Sequence, residues 1–284
     1  MTESTSSNND GFYDSAPKLS DREFELYREL IYKQAGISLS PVKKSLVENR
    51  LSKRLRTLGL SSFLDYHKKV LSDVSLKEMQ ILVDLLTTNE TYFFREDQHF
   101  DYLQKQILNK VGRSQTFNIW SAASSTGEEP YSLAMTLADS LGMQSNWQIL
   151  ATDINSEVLE TARIGKYTLS EKDAIPSKYL RTYCLKGIRS QEGIILIDKS
   201  LRMHVRYEQL NLMGNWDPKF GGFDVVFIRN VMIYFDMETR KRLIDRIAER
   251  IKVGGCLFIS HSETLHKLTD RFKLIQPSIY ERVK

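Results

Sequence analysis

The chain has 284 residues, of which 41% are hydrophobic and 27% are charged, and its net charge is +4. This ordinary globular composition excludes a wholly disordered or collagen-like chain, and no apolar run approaches the roughly 20 residues that span a bilayer. The N-terminus has neither the basic nor the apolar region of a secretory signal, and two cysteines are too few for a disulfide framework. We therefore expect a cytoplasmic protein with no membrane insertion.

The first part of the chain predicts a tail followed by a helical domain. Residues 1–18 are polar and are expected to be mobile. Residues 19–88 show helical periodicity, and Ser20 with Glu23 forms a capping-box pattern before the first helix. The other predicted helices begin near Ser40, Ser61 and Ser75. Together they predict a bundle of about four helices.

From residue 89 to residue 284, strand-like runs alternate with helical segments. The strand-like runs are 117–121, 147–152, 223–228 and 257–260, and the helical segments are 130–141, 156–167 and 237–252. This alternation predicts an α/β domain with an open, doubly wound sheet. Two strand-like runs within about 187–206 have no helix between them, which predicts a hairpin-like β insert.

The loop after the first strand is the first candidate ligand site, because doubly wound sheets bind ligands at the carboxyl ends of their strands. It contains Gly127, Glu128, Glu129 and Pro130, which do not form a G-x-G-x-x-G fingerprint. Two acidic residues at a helix start disfavour a pyrophosphate and suit a cationic ligand. The alternative is that both glutamates only complement the helix dipole.

Polar residues also follow two further strands. Asp153 ends the second strand, where a carboxylate commonly accepts the hydroxyl groups of a ribose, although it could instead cap the next helix. Arg229 and Asn230 follow the strand at 223–228. These features indicate a nucleoside-containing ligand without a pyrophosphate, and S-adenosylmethionine meets that description.

The segment between the two domains is rich in hydrogen-bonding and aromatic groups. Asn89, Thr91 and Arg95 are expected to face the ligand. The three adjacent aromatic residues, Tyr92, Phe93 and Phe94, are expected to form a packing plug between the domains.

These motifs resemble the chemotaxis receptor methyltransferase family, CheR. The segments that carry the resemblance are NRLSKRLRTLGLSSFLDY, TTNETYFFRE, IWSAASSTGEEPYSLA, ATDIN and FIRNVMIYF. It implies a Rossmann-like S-adenosylmethionine-dependent methyltransferase domain with a small antiparallel β insert, preceded by an all-helical domain. It also implies methylation of glutamate side chains on transmembrane chemoreceptors, with S-adenosylhomocysteine as the product.

The resemblance assigns roles to individual residues. The residues implied to bind the cofactor are Asn89, Thr91, Arg95, Glu129, Asp153, Asn211, Leu212, Arg229 and Asn230. Asn211 and Leu212, which only the resemblance identifies, would lie against the adenine. A glutamate is already ionised at neutral pH, so the reaction needs no general base. Arg95 and Tyr234 are the candidates for orienting the substrate carboxylate, and a buried core role is the alternative for Tyr234.

The second predicted helix carries a concentration of positive charge. Six basic residues and one acidic residue, Glu48, lie between residues 42 and 57. Lys43, Arg50 and Arg54 share one helical face with Lys53 nearby, and these four are the candidate receptor-docking residues. A solvated charged face is the alternative. If the helix docks acidic receptors, charge reversal at Arg50 and Arg54 weakens receptor methylation and spares cofactor binding.

The β insert is a further candidate contact with the receptor. Some members of the family bind a pentapeptide from the receptor C-terminus there as an added strand, and they carry a G-x-G-x-x-x-G pattern. Here Gly187 and Gly193 keep the outer glycines, and Arg189 replaces the middle one. If that position needs a positive φ, arginine is unfavourable and tethering loses support.

Two other functions are compatible with parts of the sequence. A nucleic-acid methyltransferase would be compatible with the basic helix, but the chain lacks the aromatic-rich basic surface that is typical of proteins that bind single-stranded nucleic acid. A receptor-binding or regulatory module without activity is the second alternative. The five histidines show no metal-ligand spacing, so no metal is predicted, and a monomer is the simplest expectation.

Overall fold

The protein is described by a computed structural model that covers residues 17–112, 115–170 and 173–284. The predicted tail lies outside the described residues except for Pro17 and Lys18. Within the described ranges, no helix is long and apolar enough to cross a membrane.

The N-terminal part is a bundle of four helices. They are α1 (Asp21–Ala35), α2 (Lys44–Leu58), α3 (Phe63–Ser72) and α4 (Lys77–Leu86). Ser20 and Glu23 form the predicted capping box, in which each side chain accepts a hydrogen bond from the other residue's backbone N–H. The apolar faces of the helices meet in a separate core that includes the fully buried Tyr27, Leu51 and Phe63.

The second part is built around a seven-stranded sheet with the order β6-β2-β1-β7-β8-β10-β9. The strands are β1 (Phe117–Ala122), β2 (Trp147–Asp153), β3 (Lys166–Thr168), β4 (Cys184–Lys186), β5 (Ile194–Ile197), β6 (Val205–Gln209), β7 (Phe223–Ile228), β8 (Ile251–Phe258), β9 (Phe272–Gln276) and β10 (Ile279–Arg282). The first five strands in the sheet order are parallel, whereas β10 pairs antiparallel with β8 and β9. This confirms the predicted doubly wound α/β fold.

Helices cover both faces of this sheet. The helices described in this part of the chain are α5 (Gln98–Tyr102), α6 (Glu128–Leu141), α7 (Ser156–Ile164), α8 (Ser177–Tyr183), α9 (Lys199–Arg202) and α10 (Met237–Ala248), of which α8 lies against β4 of the small sheet. Neighbouring residues of β1 point to opposite faces, so Ile119 packs in the core under α6 and Trp120 packs in the core under α10. The chain moves outward from β1 to β2 and β6 and then returns to β7 beside β1, which places the reversal of strand order between β1 and β7.

The predicted β insert is present, but its strands differ from the prediction. The small antiparallel sheet has the order β3-β5-β4, so its outer strands come from residues 166–168 and 184–186. Residues 202–206 do not pair with β5, because β6 joins the main sheet parallel to β2. The prediction failed because β3 and β4 have only three residues each, too few to show an alternating pattern.

Two helix boundaries also differ from the prediction. α10 ends at Ala248 instead of Lys252, and β8 begins at Ile251 and continues through both glycines, 254 and 255. α7 ends at Ile164, and Gly165 follows it in a left-handed conformation with φ 68°. That turn allows residues 166–168 to enter the insert as β3.

Candidate functional site

A cavity of about 370 Å³ lies at the carboxyl ends of β1, β2 and β7. Its walls come from both parts of the chain, with Ile37 and Lys43 on the helical side and Tyr234 on the sheet side. The residues predicted to bind the cofactor all line it: Asn89, Thr91, Arg95, Glu129, Asp153, Asn211, Leu212, Arg229 and Asn230. The strand order reverses at this edge, which is where doubly wound sheets bind ligands.

The loop after β1 brings its backbone close to the cavity. Ala123 and Ser125 line the cavity with φ values of 63° and 49°. Gly127 has φ 99°, and a side chain there would meet the Ala162 Cβ and the Tyr167 hydroxyl at 2.8 Å. The loop therefore needs a glycine at its tightest point, and it leaves backbone rather than bulky side chains beside a ligand.

Asp153 is fixed at the end of β2 by two backbone amides. Its Oδ2 accepts a hydrogen bond from Ser125 N–H at 2.8 Å, and its Oδ1 accepts one from Asn155 N–H at 2.9 Å. Asn155 caps α7 with its own side chain, so Asp153 does not serve as the helix cap. Burial raises the pKa of the Asp153 carboxyl. Each carboxylate oxygen keeps a further lone pair, which suits the two hydroxyls of a ribose.

Glu129 lies in the first turn of α6 and is held from two sides. Its Oε1 accepts a hydrogen bond from the Ser121 hydroxyl at 2.7 Å, and its Oε2 pairs with Arg229 Nη1 at 3.0 Å. Burial raises the pKa of the Glu129 carboxyl. Glu128 instead accepts a hydrogen bond from the Thr126 hydroxyl at 2.6 Å and does not line the cavity. Of the two adjacent glutamates, Glu129 therefore faces the cavity.

Arg229 has a second carboxylate partner that the sequence analysis missed. Its Nη2 lies 3.2 Å from Glu96 Oε2 and also donates a hydrogen bond to the Arg95 carbonyl. Glu96 is the last residue of the TTNETYFFRE segment, and it also accepts a hydrogen bond from the Ser260 hydroxyl at 2.9 Å. Ser260 follows β8, so the long sequence separation hid this contact.

Two histidines also meet at Glu96. His99 Nδ1 lies 3.5 Å and His261 Nε2 lies 4.0 Å from Glu96 Oε2, and one ligand-type atom from each of the three side chains lies within 4.8 Å of the others. No metal-ligand spacing is visible along the chain because these two histidines are far apart in sequence. The same Glu96 oxygen pairs with Arg229, whose positive charge opposes a metal cation. Burial and the charge of Arg229 lower the pKa of His99 to about 3.

Arg95 and Tyr234 both line the cavity, and Tyr234 also contacts the helical domain. Arg95 stacks near the Tyr92 ring at 5.5 Å from its centroid and donates to the Glu90 carbonyl at 3.0 Å. Tyr234 is half-buried, and its carbonyl accepts a hydrogen bond from Ser38 N–H at 2.8 Å. Tyr234 therefore reaches the cavity instead of filling the core.

The aromatic plug predicted between the domains is wrong for two of its three residues. Phe93 and Phe94 are buried in the core of the sheet domain, where they contact Tyr167 and Phe100 at ring distances of 4.9 Å. Tyr92 is half-buried and lines the cavity. The two phenylalanines anchor the segment from inside the sheet domain.

Asn211 connects the cavity to the helical domain. Its amide nitrogen donates to the Gln34 carbonyl at 2.7 Å, and its side-chain oxygen accepts from Met213 N–H at 2.9 Å. Leu212 beside it is buried. Because the Asn211 side chain already has these partners, its backbone and Leu212 are the parts that can pack against an adenine.

The four candidate docking residues fall into two groups. Arg50 Nη1 donates to the Thr87 carbonyl at 2.7 Å, and burial lowers its pKa. Arg54 forms two hydrogen bonds with Glu78, at 2.8 and 2.6 Å, which raise the pKa of the arginine and lower that of the glutamate. Lys43 and Lys53 are exposed, and Lys43 lines the cavity. The two lysines are therefore better placed than the two arginines to meet a partner.

These features define the class of S-adenosylmethionine-dependent methyltransferases: a doubly wound sheet, an acidic residue for the ribose and no pyrophosphate loop. Residues 22–87 match the family domain described as CheR methyltransferase, all-alpha domain, and residues 89–280 match CheR methyltransferase, SAM binding domain. The chain belongs to the CheR methyltransferase family.

Similar proteins match the chain along most of its length. The chemotaxis protein methyltransferase of Salmonella typhimurium is 41% identical over 263 residues, covering 92% of this chain and 90% of that protein. Its Escherichia coli counterpart is also 41% identical over 263 residues, covering 92% and 91%. Chemotaxis protein methyltransferase 2 of Pseudomonas aeruginosa is 38% identical over 260 residues, covering 91% and 92%. The predicted family and the predicted cofactor, S-adenosylmethionine, are confirmed.

Proposed function

We propose that this protein transfers the methyl group of S-adenosylmethionine to glutamate side chains in the cytoplasmic methylation region of chemoreceptors. The products are a glutamate methyl ester and S-adenosylhomocysteine. The observation that carries the proposal is the position of the cavity, which is lined by all the predicted cofactor residues and opens beside the basic helix α2. The relatives named as chemotaxis protein methyltransferases support it.

The reaction is a direct displacement at the methyl carbon. A carboxylate oxygen of the substrate glutamate forms the new O–C bond while the C–S bond of the sulfonium breaks, and its electron pair stays on sulfur. A glutamate has an ordinary pKa of about 4.3, so it reaches the site ionised and transfers no proton. Catalysis then depends on positioning the two reactants and excluding water.

Arg95 and Tyr234 are proposed to orient the substrate carboxylate. Both line the cavity where the helical domain meets the sheet domain. An arginine can hold a carboxylate through two parallel hydrogen bonds. Because a tight ion pair makes the oxygen a weaker nucleophile, Arg95 is expected to position the substrate or to contact the cofactor and not to activate the oxygen. Tyr234 adds a hydroxyl at the same boundary.

Helix α2 is proposed to dock the receptor. Lys43, which directly precedes α2, is exposed and lines the cavity, and Lys53 is exposed on α2 itself. Clustered positive charge raises the rate at which an acidic partner is captured. The family resemblance implies that the methylation region of a receptor is an acidic helical coiled coil. Its negative charge would be complementary to the positive charge of α2.

The substrate can be tested by transfer of a radiolabelled methyl group. Wild-type protein is incubated with labelled S-adenosylmethionine and receptor-bearing membranes from the source organism, and Tyr234→Phe is run beside it. We expect label in a membrane protein of receptor size, with a lower kcat and unchanged S-adenosylmethionine affinity for Tyr234→Phe. Label found only in soluble protein or in nucleic acid would contradict the proposed substrate.

A further inference from the structure

Arg229 shares one positive charge between two carboxylates. Its Nη1 pairs with Glu129 at 3.0 Å, and its Nη2 pairs with Glu96 at 3.2 Å. The three side chains are largely buried, with 2% of Arg229, 13% of Glu129 and 15% of Glu96 exposed. When both carboxylates are ionised, the group carries a net negative charge in an environment that screens charge weakly.

Only part of this group reaches the cavity. Glu129 and Arg229 line it, whereas Glu96 lies behind Arg229. Burial acts to raise the pKa of Glu96, but Arg229 and the Ser260 hydrogen bond outweigh it, so the pKa lies below its usual value. Glu96 is accordingly ionised at neutral pH.

The methyl donor and the product differ by one charge. S-adenosylmethionine carries an ammonium, a carboxylate and a sulfonium, whereas S-adenosylhomocysteine has lost the sulfonium charge. Contacts with the adenine, the ribose and the amino acid are common to both ligands. The charge of the protein around the cavity is therefore the property that can distinguish donor from product without a change in shape.

We propose that Glu96 is a positioning residue whose charge shifts the ratio of the two affinities toward the cationic donor and away from the neutral product. Glu96 pairs with one nitrogen of the Arg229 guanidinium, so the positive charge of Arg229 is not balanced against Glu129 alone. Glu129 then keeps enough negative charge to favour the sulfonium, and Arg229 does not act on the ligand as an uncompensated cation.

The substitution Glu96→Gln removes the charge with little change in shape. The glutamine oxygen can accept from Arg229, and its amide can donate to Ser260 Oγ, whose own proton can turn to Ser262 Oγ at 3.2 Å. We expect the Kd of S-adenosylmethionine to rise roughly tenfold and that of S-adenosylhomocysteine to change less than about threefold. Isothermal titration calorimetry without receptor measures both ligands and involves no turnover.

Two matched variants distinguish loss of the Glu96 charge from loss of the contacts that hold the site in place. Glu96→Asp keeps the charge, so the ratio of the two affinities should stay within about twofold of the wild-type ratio. Ser260→Ala keeps the charge but removes the hydroxyl that holds Glu96 and receives the Asn230 amide at 2.7 Å. It should weaken both ligands by a similar factor.

If Glu96→Gln weakens the affinity for both ligands by the same factor, the proposal is overturned, because an equal effect indicates that Glu96 has only a structural role. If Glu96→Gln does not fold, Glu96→Asp carries the test. A tenfold fall in its donor-to-product affinity ratio would then contradict a role that depends on charge. Methyl transfer to receptors is not measured, so the result is independent of the proposed substrate.

Discussion

Five residues around the cavity have a positive φ although none of them is glycine. They are Phe94, Glu96, Ala123, Ser125 and Asn230, with φ between 49° and 63°. Such conformations each cost roughly 1–3 kcal/mol and persist where the surrounding structure fixes them. Here Phe94 is fixed by its N–H, which donates to the Ser132 hydroxyl at 3.0 Å, and Ser125 by its N–H bond to Asp153. Their concentration indicates a site that is shaped before the ligand arrives.

The raised pKa of Glu129 predicts that cofactor affinity depends on pH. Protonation removes the charge that attracts the ligand, so we expect S-adenosylmethionine affinity to fall as the pH decreases through the raised pKa of this carboxyl. The unliganded fold should respond in the opposite sense. A carboxyl whose folded pKa is raised contributes stability at low pH, and this contribution is lost as the pH rises through the folded pKa.

Calorimetric titration across this pH range provides the measurement, with Glu129→Gln as the matched control. The variant cannot ionise at this position, so it should bind S-adenosylmethionine more weakly and with a shallower pH dependence. Equal slopes for wild type and variant would show that another group is responsible.

Helix α2 has a buried apolar face and a basic face, and we propose that the basic face docks the receptor. Val47, Leu51 and Leu55 are fully buried, as the apolar stripe predicts. The basic face is less uniform than the sequence indicates, since Arg50 and Arg54 have partners within the helical domain. Charge reversal at either arginine would therefore disturb the fold as well as the surface.

The exposed lysines give a cleaner test of docking. Lys43→Glu combined with Lys53→Glu should lower kcat/KM for receptor methylation roughly tenfold at low salt, with a smaller effect at high salt. The single variant Lys53→Glu, whose site does not line the cavity, should leave the affinity for S-adenosylmethionine unchanged, whereas Lys43 lines the cavity and its reversal can alter cofactor binding. Lys273→Glu is the control, because Lys273 is exposed on the edge strand β9. Equal loss in the control and in the double variant would argue against docking through α2.

In the loop of the β insert, an arginine adopts a left-handed backbone conformation that favours glycine. Arg189 has φ 56°, and a side chain at Gly187 would approach the Gln191 carbonyl to 2.0 Å. We expect Arg189→Gly to raise the free energy of unfolding by about 0.5–1 kcal/mol, measured by denaturant titration. Ile188→Gly is the control, because Ile188 is already extended and should gain nothing.

The same loop bears on tethering to the receptor. We expect wild-type protein to show no micromolar affinity for a pentapeptide from the receptor C-terminus, because arginine occupies the position of the middle glycine. Titration calorimetry with that peptide measures it. Micromolar binding would show that the arginine-containing turn still accepts an added strand.

Elements with a strong local pattern were predictable, and contacts between distant segments were not. The capping box of α1, the parallel strands β1, β2 and β7, and Asp153 all follow from short sequence signals. The three-residue strands of the insert carry no such signal. The extension of β8 through Gly254 was hidden because glycine usually interrupts a strand pattern. Glu96 was missed because its partners, Arg229 and Ser260, lie far away in the sequence.

The helical domain forms one wall of the cavity. Tyr32 donates from its hydroxyl to Asp236 at 2.7 Å, and Asp84 accepts from the Ser156 hydroxyl at 2.6 Å. Backbone contacts such as Ser38 N–H to the Tyr234 carbonyl complete the boundary, and no side-chain pattern could have predicted them. The cavity that the predicted cofactor residues line therefore lies where the two domains touch.

The chemical linkage of the transferred methyl group provides the most direct test of glutamate methylation. Receptor-bearing membranes are labelled with the radioactive methyl group of S-adenosylmethionine, and the labelled protein is treated with mild alkali. A carboxylate nucleophile gives a methyl ester, so we expect release of volatile labelled methanol. Label that resists alkali would place the methyl group on nitrogen, carbon or sulfur, and it would contradict glutamate methylation while leaving the cofactor assignment intact.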